Sequence, residues 1–280
     1  MGRVLHDTGV SVTSSRYAIR GGRPGRERLR VLNRVMAETT GELLRRAGVG
    51  PRARCLDVGC GGGDVTAMLA RLTPDGFVVG TDMDETVLSL ARAEAADAGL
   101  RNVEFRREDI TRPADLGAAF DVVYARFLLT HLADPGGAVV TLCRRLAPGG
   151  VLIVEDIDFT GHFCHPPSDA FQRYVALYSR VVRARGADPD IGPRLPGLLA
   201  AAGLGDLGVR VVQPAGFSGD VAAIAPLTLE AIAESLRQLG LAGAEEIDGT
   251  VRELRELVRD GRTLVSLPRI VQCWGRAEGV

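Results

Sequence analysis

No run of eighteen apolar residues occurs in this 280-residue chain, although 46% of its residues are hydrophobic. A membrane-spanning helix needs about 20 such residues in a row, so the apolar content points to a substantial buried core instead. Nor does the start at Met1 show a signal-peptide pattern. Cysteines are few, odd in number (55, 60, 143, 164 and 273) and nowhere spaced as C-x-x-C. Reduced thiols in a cytoplasmic protein are the simplest expectation. Net charge is nearly absent: 34 basic against 35 acidic residues leave −1. That removes any global electrostatic reason to expect nucleic acid or an anionic membrane as partner, and leaves the arginine-rich stretch Arg16 to Arg34 as a local basic patch. Arginine supplies essentially all the cations, which reads as genome composition rather than function. No internal repeat or low-complexity tract is visible, and the length fits one large domain or one domain with a cap.

The chain is organised around CLDVGCGGGD, Cys55 to Asp64. A short apolar strand runs into Gly59, Gly61, Gly62 and Gly63, and a helical pattern follows at Val65, Met68, Leu69 and Leu72. A strand that ends in glycines and opens a helix brings backbone N–H groups close to a ligand. Dinucleotides use the same geometry, but their fingerprint is G-x-G-x-x-G. Counted from Gly59 the sixth position is Asp64, and counted from Gly61 it is Thr66, so the third glycine is missing in both registers. Asp57, inside the strand end, would repel a pyrophosphate and attract the ammonium of an amino-acid ligand.

An acid followed by G-x-G at a strand end resembles motif I of the class I S-adenosylmethionine-dependent methyltransferases. The resemblance continues through GTDMDETVL (Gly80 to Leu88), REDI (Arg107 to Ile110), FDVVYARFLLTHL (Phe120 to Leu132) and LAPGGVLIVEDIDF (Leu146 to Phe159). Five motifs in order cover roughly residues 51–160, a strong signal together although each alone is weak. The resemblance implies S-adenosyl-L-methionine as cofactor and S-adenosyl-L-homocysteine as product. It implies Asp57, Gly59, Cys60 and Gly61 in the first cofactor loop, and Asp82 and Met83 at the second strand end, with Asp82 accepting both ribose hydroxyls. Asp109 and Ile110 would lie beside the adenine, and Ala125 and Arg126 beside the methionine end.

The implied fold is an α/β, Rossmann-like seven-stranded mostly parallel sheet, its last strand antiparallel, with helices on both faces. The alternation of apolar runs and helical spacings agrees. It predicts strands at 54–58, 77–81, 102–106, 120–125 and 150–156, and helices near 64–72, 84–98, 114–118 and 136–146. Ligands in such sheets bind beyond the carboxyl ends of the strands. An N-terminal helical extension (1–50) is expected to close over the cofactor, its helix spanning 26–47. Tyr17 and Arg20 are candidates for contacts to the methionine carboxylate, against the plainer reading of a surface arm. The core (51–160) is followed by a lid turn and helices (161–207), with helices over 168–185 and 198–202. The segment 208–280 holds strand six (Val209, Val211, Val212) and strand seven (Arg269 to Gly275). Roughly 50 residues separate those strands. Helical patterns at 228–240 and 250–259 there predict a cap insertion at about 218–262, since a loop that long in a compact domain should be structured.

Methyl transfer from a sulfonium asks the protein for positioning and desolvation, plus a base if the acceptor carries a proton. His131, just beyond strand four, is a candidate base, or else a helix residue bonded to a carbonyl. Asp156 and Asp158 share one face of strand five by alternation, with Glu155 on the other. Either aspartate is a candidate substrate-facing or catalytic carboxylate, against capping and solvation at a strand end. His162, Cys164 and His165 are too local for tetrahedral zinc spacing, and no metal is expected. His162 and His165 instead read as acceptor contacts at the opening of a lid. Tyr174 and Tyr178, on a helix with Phe171, would line an aromatic pocket or pack in the core.

The enlarged cap favours an enclosed small-molecule acceptor over nucleic acid, and the position after strand four reads Ala125-Arg126-Phe127-Leu128 rather than an Asn-Pro-Pro-Tyr type. O-methylation is the default, with N- or C-methylation next, in a monomer or homodimer without membrane partners. The alternative is a methyltransferase-like scaffold that binds the cofactor but catalyses a non-methylating reaction such as cyclisation. An NAD-dependent protein and a protein or RNA methyltransferase are the remaining readings; the missing third glycine and the lack of an open basic groove speak against them.

Overall fold

The computed structural model describes residues 22–112 and 119–279, with side chains from residue 25 onward. Tyr17, Arg20 and the helix expected at 114–118 lie outside the described residues.

Helix α1 (Gly22–Arg46) precedes five parallel strands: β1 (Arg54–Val58), β2 (Phe77–Asp82), β3 (Val103–Arg107), β4 (Phe120–Arg126) and β5 (Leu146–Asp158). Between them run α2 (Asp64–Leu72), α3 (Glu85–Asp97) and α4 (Pro135–Cys143). α3 and α4 start where the sequence supplies caps: Asp84 accepts from Thr86 N, and Asp134 accepts from Gly137 N ahead of a proline in the first turn. β7 (Gly205–Val212) and β10 (Arg269–Arg276) close a seven-stranded sheet of order β3-β2-β1-β4-β5-β10-β7, with β10 antiparallel to both neighbours. The expected Rossmann-like sheet is therefore present.

Period-two alternation decides which residues meet which helices. Cys55, Val78, Tyr124 and Ile153 point to one face and pack under α1 and α2 through Leu43, Leu44, Val65 and Leu69. Leu56, Val123, Leu152 and Val154 point to the other, against α4 and α6 (Leu195–Ala201). A separate apolar core lies beyond the carboxyl end of β5. It joins the first half of α1 to α5 (Asp169–Ala184), α7 (Gly219–Gln238) and α8 (Ala244–Asp260), through Leu32, Met36, Tyr174, Val181, Leu229, Ile232 and Leu254 among others.

Several element limits differ from expectation. β5 begins at Leu146, taking in the Pro-Gly-Gly stretch, so α4 stops at Cys143. β7 starts at Gly205, and α6 sits three residues earlier than its pattern suggested. The cap helices are longer than their periodic cores, α7 by nine residues at its start through Pro226. A three-stranded antiparallel sheet, β6 (Cys164–His165), β9 (Leu264–Ser266) and β8 (Ala215–Gly216), ties the lid turn to the cap. Strands of two or three residues carry no readable alternation, so they were invisible to period arguments. Among the described residues no helix is long and apolar enough to cross a membrane.

Candidate active site

At the end of β1 the backbone turns through Gly59 with φ +70°, and a Cβ there would lie 3.1 Å from Leu128 Cδ1. Only glycine takes both the conformation and the approach. The loop that follows is held from β2. Cys60 N donates to Thr81 O at 2.9 Å. Gly61 N donates to Asp82 Oδ2 and Asp84 N to Asp82 Oδ1, each at 3.0 Å. Asp82 thus braces the glycine loop and the entry to α3, and each of its oxygens retains acceptor capacity. Burial raises its pKa, and the three backbone amides at Gly61, Met83 and Asp84 oppose that rise.

Asp57 lies under the loop, 2% exposed, and accepts from Thr66 Oγ1 of α2 at 2.6 Å. Burial pushes its carboxyl up to about 6, held back by the Thr66 bond and by the charge of Arg126. Met83 is exposed beside Asp82, while Ile110 is buried in the turn after β3 and Ala125 near the end of β4. Asp109 turns inward on its own segment, accepting from Thr111 N at 2.9 Å and Thr111 Oγ1 at 2.7 Å. Asp57, Gly59, Asp82, Asp109 and Ala125 therefore line the carboxyl edge of four adjacent parallel strands.

The loop after β4 faces both this crevice and the cap. Arg126 donates to Thr40 Oγ1 at 3.3 Å and Asn33 Oδ1 at 3.4 Å, both on α1. Its guanidinium stands 5.6 Å from the Phe127 ring. Phe127 itself has φ +53°, a left-handed conformation in a bulky residue, fixed by its N–H donating to Glu155 O at 2.8 Å. Such strain persists where surrounding contacts over-determine it. Glu155 is fully buried and accepts from Thr40 Oγ1 (2.9 Å), Gln272 Nε2 (2.7 Å) and the Tyr124 hydroxyl. That network stiffens the floor beneath Arg126 without placing Glu155 in open space.

His131 ends the short 3-10 turn Leu129–His131. Burial, then the charges of Arg28 and Arg185, push its imidazole down to about 3, so it is neutral at physiological pH. Asp156, fully buried, accepts from Thr130 N at 3.1 Å and Ile157 N at 2.9 Å, and burial lifts it to about 7. Asp158 is 2.7 Å from Arg269 Nη2 and accepts from Thr160 Oγ1 at 2.9 Å. The two aspartates do share a face of β5, but each is engaged in bracing a turn.

His162 lies in an aromatic cluster: its Nδ1–H donates to Phe159 O at 2.9 Å, and its ring meets Phe159, Phe171 and Tyr174 edge-on. Burial lowers it to about 4. Tyr178 stacks on Phe159 at 3.8 Å between centroids. His165 is exposed in β6. His162 and Phe171 border a cleft of about 570 Å³ on the outer side of α5, whereas Tyr174 is buried and bonded to Thr228 of α7. The four residues thus divide between the outer cleft (His162), the aromatic core (Tyr178), the cap interior (Tyr174) and the exposed strand β6 (His165). Among the described residues no three His, Cys, Asp or Glu are placed to hold a metal.

Sequence reasoning missed Thr66, Leu128, Arg28 and Arg185. Thr66 and Leu128 carry signals only once the loop is closed on them. Arg28 fell within the basic stretch, where nothing in the pattern set it apart from its neighbours.

Residues 50–181 match a family model described as a methyltransferase domain. The chain is 32% identical over 147 residues to a trans-aconitate 2-methyltransferase of Deinococcus radiodurans, covering 51% of this chain and 54% of that one. It is 36% identical over 107 residues to a ubiquinone biosynthesis O-methyltransferase of Sinorhizobium fredii, covering 38% and 42% respectively. The chain therefore spans about half the length of these curated relatives. A Bacillus halodurans structure described as a methyltransferase shares the fold, with TM-score 0.58 at 21% identity over 85% of this chain and 97% of that one. Domain match, motif order and sheet topology agree: residues 50–181 form a methyltransferase domain, and its motifs and strand order are those of the class I S-adenosylmethionine-dependent methyltransferase superfamily that the sequence resembles.

Proposed function

We propose that this protein transfers a methyl group to a small-molecule acceptor enclosed beneath its helical cap, an oxygen being the preferred atom. The observation that carries the reading is one convergence. The crevice of Asp57, Gly59 and Asp82 and the cap interior at His131 are two sides of the same loop, whose Leu128 abuts Gly59.

The residues fit the cofactor. The left-handed glycine turn admits a ligand where a Cβ would fill the space, and Asp82 presents acceptors for two ribose hydroxyls at the end of β2. Asp57 supplies a carboxylate for an ammonium. Asp109 and Ile110 would border the adenine, and Met83 the ribose. S-adenosylmethionine, when bound, supplies a methyl group already activated on a sulfonium. What remains for the chain is to orient the acceptor, exclude water and receive a proton.

His131, held neutral, is the candidate to receive an acceptor hydroxyl proton. Asp156 acts through the loop: by accepting the amides of Leu129 and Thr130 it fixes the turn that carries His131. O-methylation is supported by the likeness to an O-methyltransferase and by the presence of a neutral imidazole on the loop after β4.

Titration calorimetry with S-adenosylmethionine and S-adenosylhomocysteine, with NAD as control, tests the crevice. Transfer of isotopically labelled methyl to an acceptor panel tests the reaction. Cofactor binding with no label transfer to phenols, alcohols, amines or acids would move the assignment to a scaffold catalysing a non-methylating reaction.

A further inference from the structure

Helix α5 has two unlike sides. Tyr174, Leu177, Tyr178 and Val181 turn into the core beneath the cap, whereas Ala176, Arg180 and Arg183 are exposed on the outer side. Along that outer side runs the turn that follows β5, residues 160–167. Thr160 N donates to Asp190 Oδ1 at 2.9 Å, and Asp190 pairs with Arg183 at 2.7 Å, which sets Thr160 near the end of the helix. The His162 ring lies 5.7 Å from the rings of Phe171 and Tyr174, which sets it beside the first two turns. Turn and helix thus lie side by side. Between them is the cleft of about 570 Å³, a volume within the range of small-molecule sites.

The cleft is apolar along its walls and cationic at one end. Phe163, 42% exposed, Phe171 and Val175 supply the walls. Arg180 and Arg183 stand at the end, and no Asp or Glu is among the described residues that line the cleft. Asp190, just outside, compensates Arg183. Arg180 is exposed and has no hydrogen bond or ion pair among the described residues, so one guanidinium is left to meet an anion. A third feature is His162. Its Nδ1–H is spent on Phe159 O at 2.9 Å, so Nε2 carries the bare lone pair and has no second partner among the described residues. Burial holds the ring neutral, its pKa lowered to about 4. A neutral lone pair among aromatic rings accepts an O–H or N–H and gives a carboxylate nothing. Phe171 and Tyr174 precede Arg180 by nine and six residues, so acceptor and cation are set about 9–14 Å apart along the helix axis.

We propose that this cleft is a second ligand site, outside the cap, for a small amphipathic acid: an aromatic or alkyl body against Phe163, Phe171 and Val175, a carboxylate at Arg180, and a hydroxyl or N–H donor toward His162 Nε2. The lining is selective. A cation meets only like charge, and a wholly apolar ligand leaves both Arg180 and the His162 lone pair without a role. Helix α5 stands between this site and the cap interior, because Tyr174 on its opposite side is buried and bonded to Thr228 of α7. The occupant would bridge the turn and the helix. That turn runs on into β6, which pairs with β9 beneath the cap, so binding stabilises the lid turn by mass action.

The test titrates the full chain with hydroxyphenylpropanoate, phenylpropanoate, the methyl ester of the first, and the cation tyramine, by calorimetry and ligand-observed NMR. Wild type is compared with Arg180→Gln, Ala176→Glu, His162→Phe and the control Arg101→Gln, an exposed arginine ahead of β3. Thermal unfolding reports the fold of each. Hydroxyphenylpropanoate should bind wild type at about 0.1–1 mM, as its size allows, and tyramine should not bind. Arg180→Gln should weaken the acid about three- to fivefold, the worth of an exposed ion pair, and leave the ester unchanged. Ala176→Glu, which sets a carboxylate in the cleft from an exposed helix position, should weaken the acid tenfold or more. His162→Phe keeps a ring in the aromatic cluster and should abolish the preference for hydroxyphenylpropanoate over phenylpropanoate. In wild type the nitrogen NMR signal of His162 Nε2 should move when the hydroxylated acid binds and not when the other does. Arg101→Gln should behave as wild type. The proposal is overturned if neither acid binds wild type more tightly than Ala176→Glu, if acid and ester respond equally to Arg180→Gln, or if the hydroxyl preference survives His162→Phe.

Discussion

Gly62→Ala offers a sharp check on how α1 is fastened to the glycine loop. Gly62 is not in the left-handed region, so alanine fits its backbone, and in open space the change would stabilise by about 0.4–1 kcal/mol through the unfolded chain. The space is not open. A Cβ at 62 would stand 2.3 Å from the Arg26 guanidinium carbon, requiring a shift of about 1 Å to reach ordinary contact. Arg26 is 5% exposed and forked onto two carboxylates: Nη1 and Nη2 meet Asp64 at 2.5 and 3.0 Å, Nε meets Glu94 Oε1 at 2.9 Å, and Nη2 meets its other oxygen. Asp64 and Glu94 are 20% and 34% exposed, so solvent screens part of the attraction. Discounting buried charge-assisted bonds accordingly leaves about 2 kcal/mol at stake. In this size range that lowers the melting temperature by about 4–8 °C. The assay is a double-mutant cycle by urea and thermal unfolding. Arg26→Ala should cost about as much as Gly62→Ala, and the double variant little more than either, giving a coupling of about 2 kcal/mol. Stabilisation by Gly62→Ala, or strictly additive losses, would refute the contact.

Asp82→Ala should weaken S-adenosylmethionine binding about a hundredfold or more, because it removes the ribose acceptors and frees Gly61 N; unchanged affinity in calorimetry would sink the assignment. Cofactor affinity should also depend on Asp57, whose carboxyl is raised to about 6 in the free protein. A bound ammonium favours the ionised form, so affinity should be flat above about pH 7 and fall by up to tenfold per pH unit below about 6; Asp57→Asn should flatten that profile at a weaker plateau. His131→Gln should lower kcat by roughly a hundredfold or more while the cofactor Kd stays within about twofold; an unchanged kcat would remove His131 as the base.

The crevice was legible because its geometry is local. Asp57, Gly59 and Asp82 each sit at the end of a strand whose apolar run shows its length, and parallel pairing brings strand ends together whatever lies between them. Glu155, Asp156 and Asp158 were legible only as an alternation. The pattern correctly separated Glu155 from the two aspartates, yet could not tell that backbone amides of the neighbouring turn occupy Asp156 or that Arg269, over a hundred residues later, pairs with Asp158. Those partners come from other elements, and spacing along one strand carries no information about them. The same limit hid Arg28 and Arg185, whose charges act on His131 from the distant elements α1 and the end of α5.

Helix α1 explains why the two halves of the site should respond to one another. Leu29, Asn33, Thr40, Leu43 and Leu44 recur on the side facing the glycine loop, Arg126 and the sheet, while Arg28, Val31, Leu32 and Val35 recur on the side facing the cap. A single helix is thus packed between cofactor crevice and cap, fixed to one by Arg26 and to the other by Arg28 and the Arg34–Asp220 ion pair. A ligand that orders one side of a shared rigid element lowers the cost of ordering the other. Any acceptor that binds beneath the cap should therefore bind more tightly with S-adenosylhomocysteine present, and thermodynamic linkage requires the acceptor to tighten S-adenosylhomocysteine by the same factor, several-fold or more. Titrating each ligand in the absence and presence of the other measures both arms. Arg26→Ala should reduce the factor in both directions, because it loosens α1 from the glycine loop without touching the cap. Equal affinities in all four titrations would show that α1 holds its place without either ligand and transmits nothing between them.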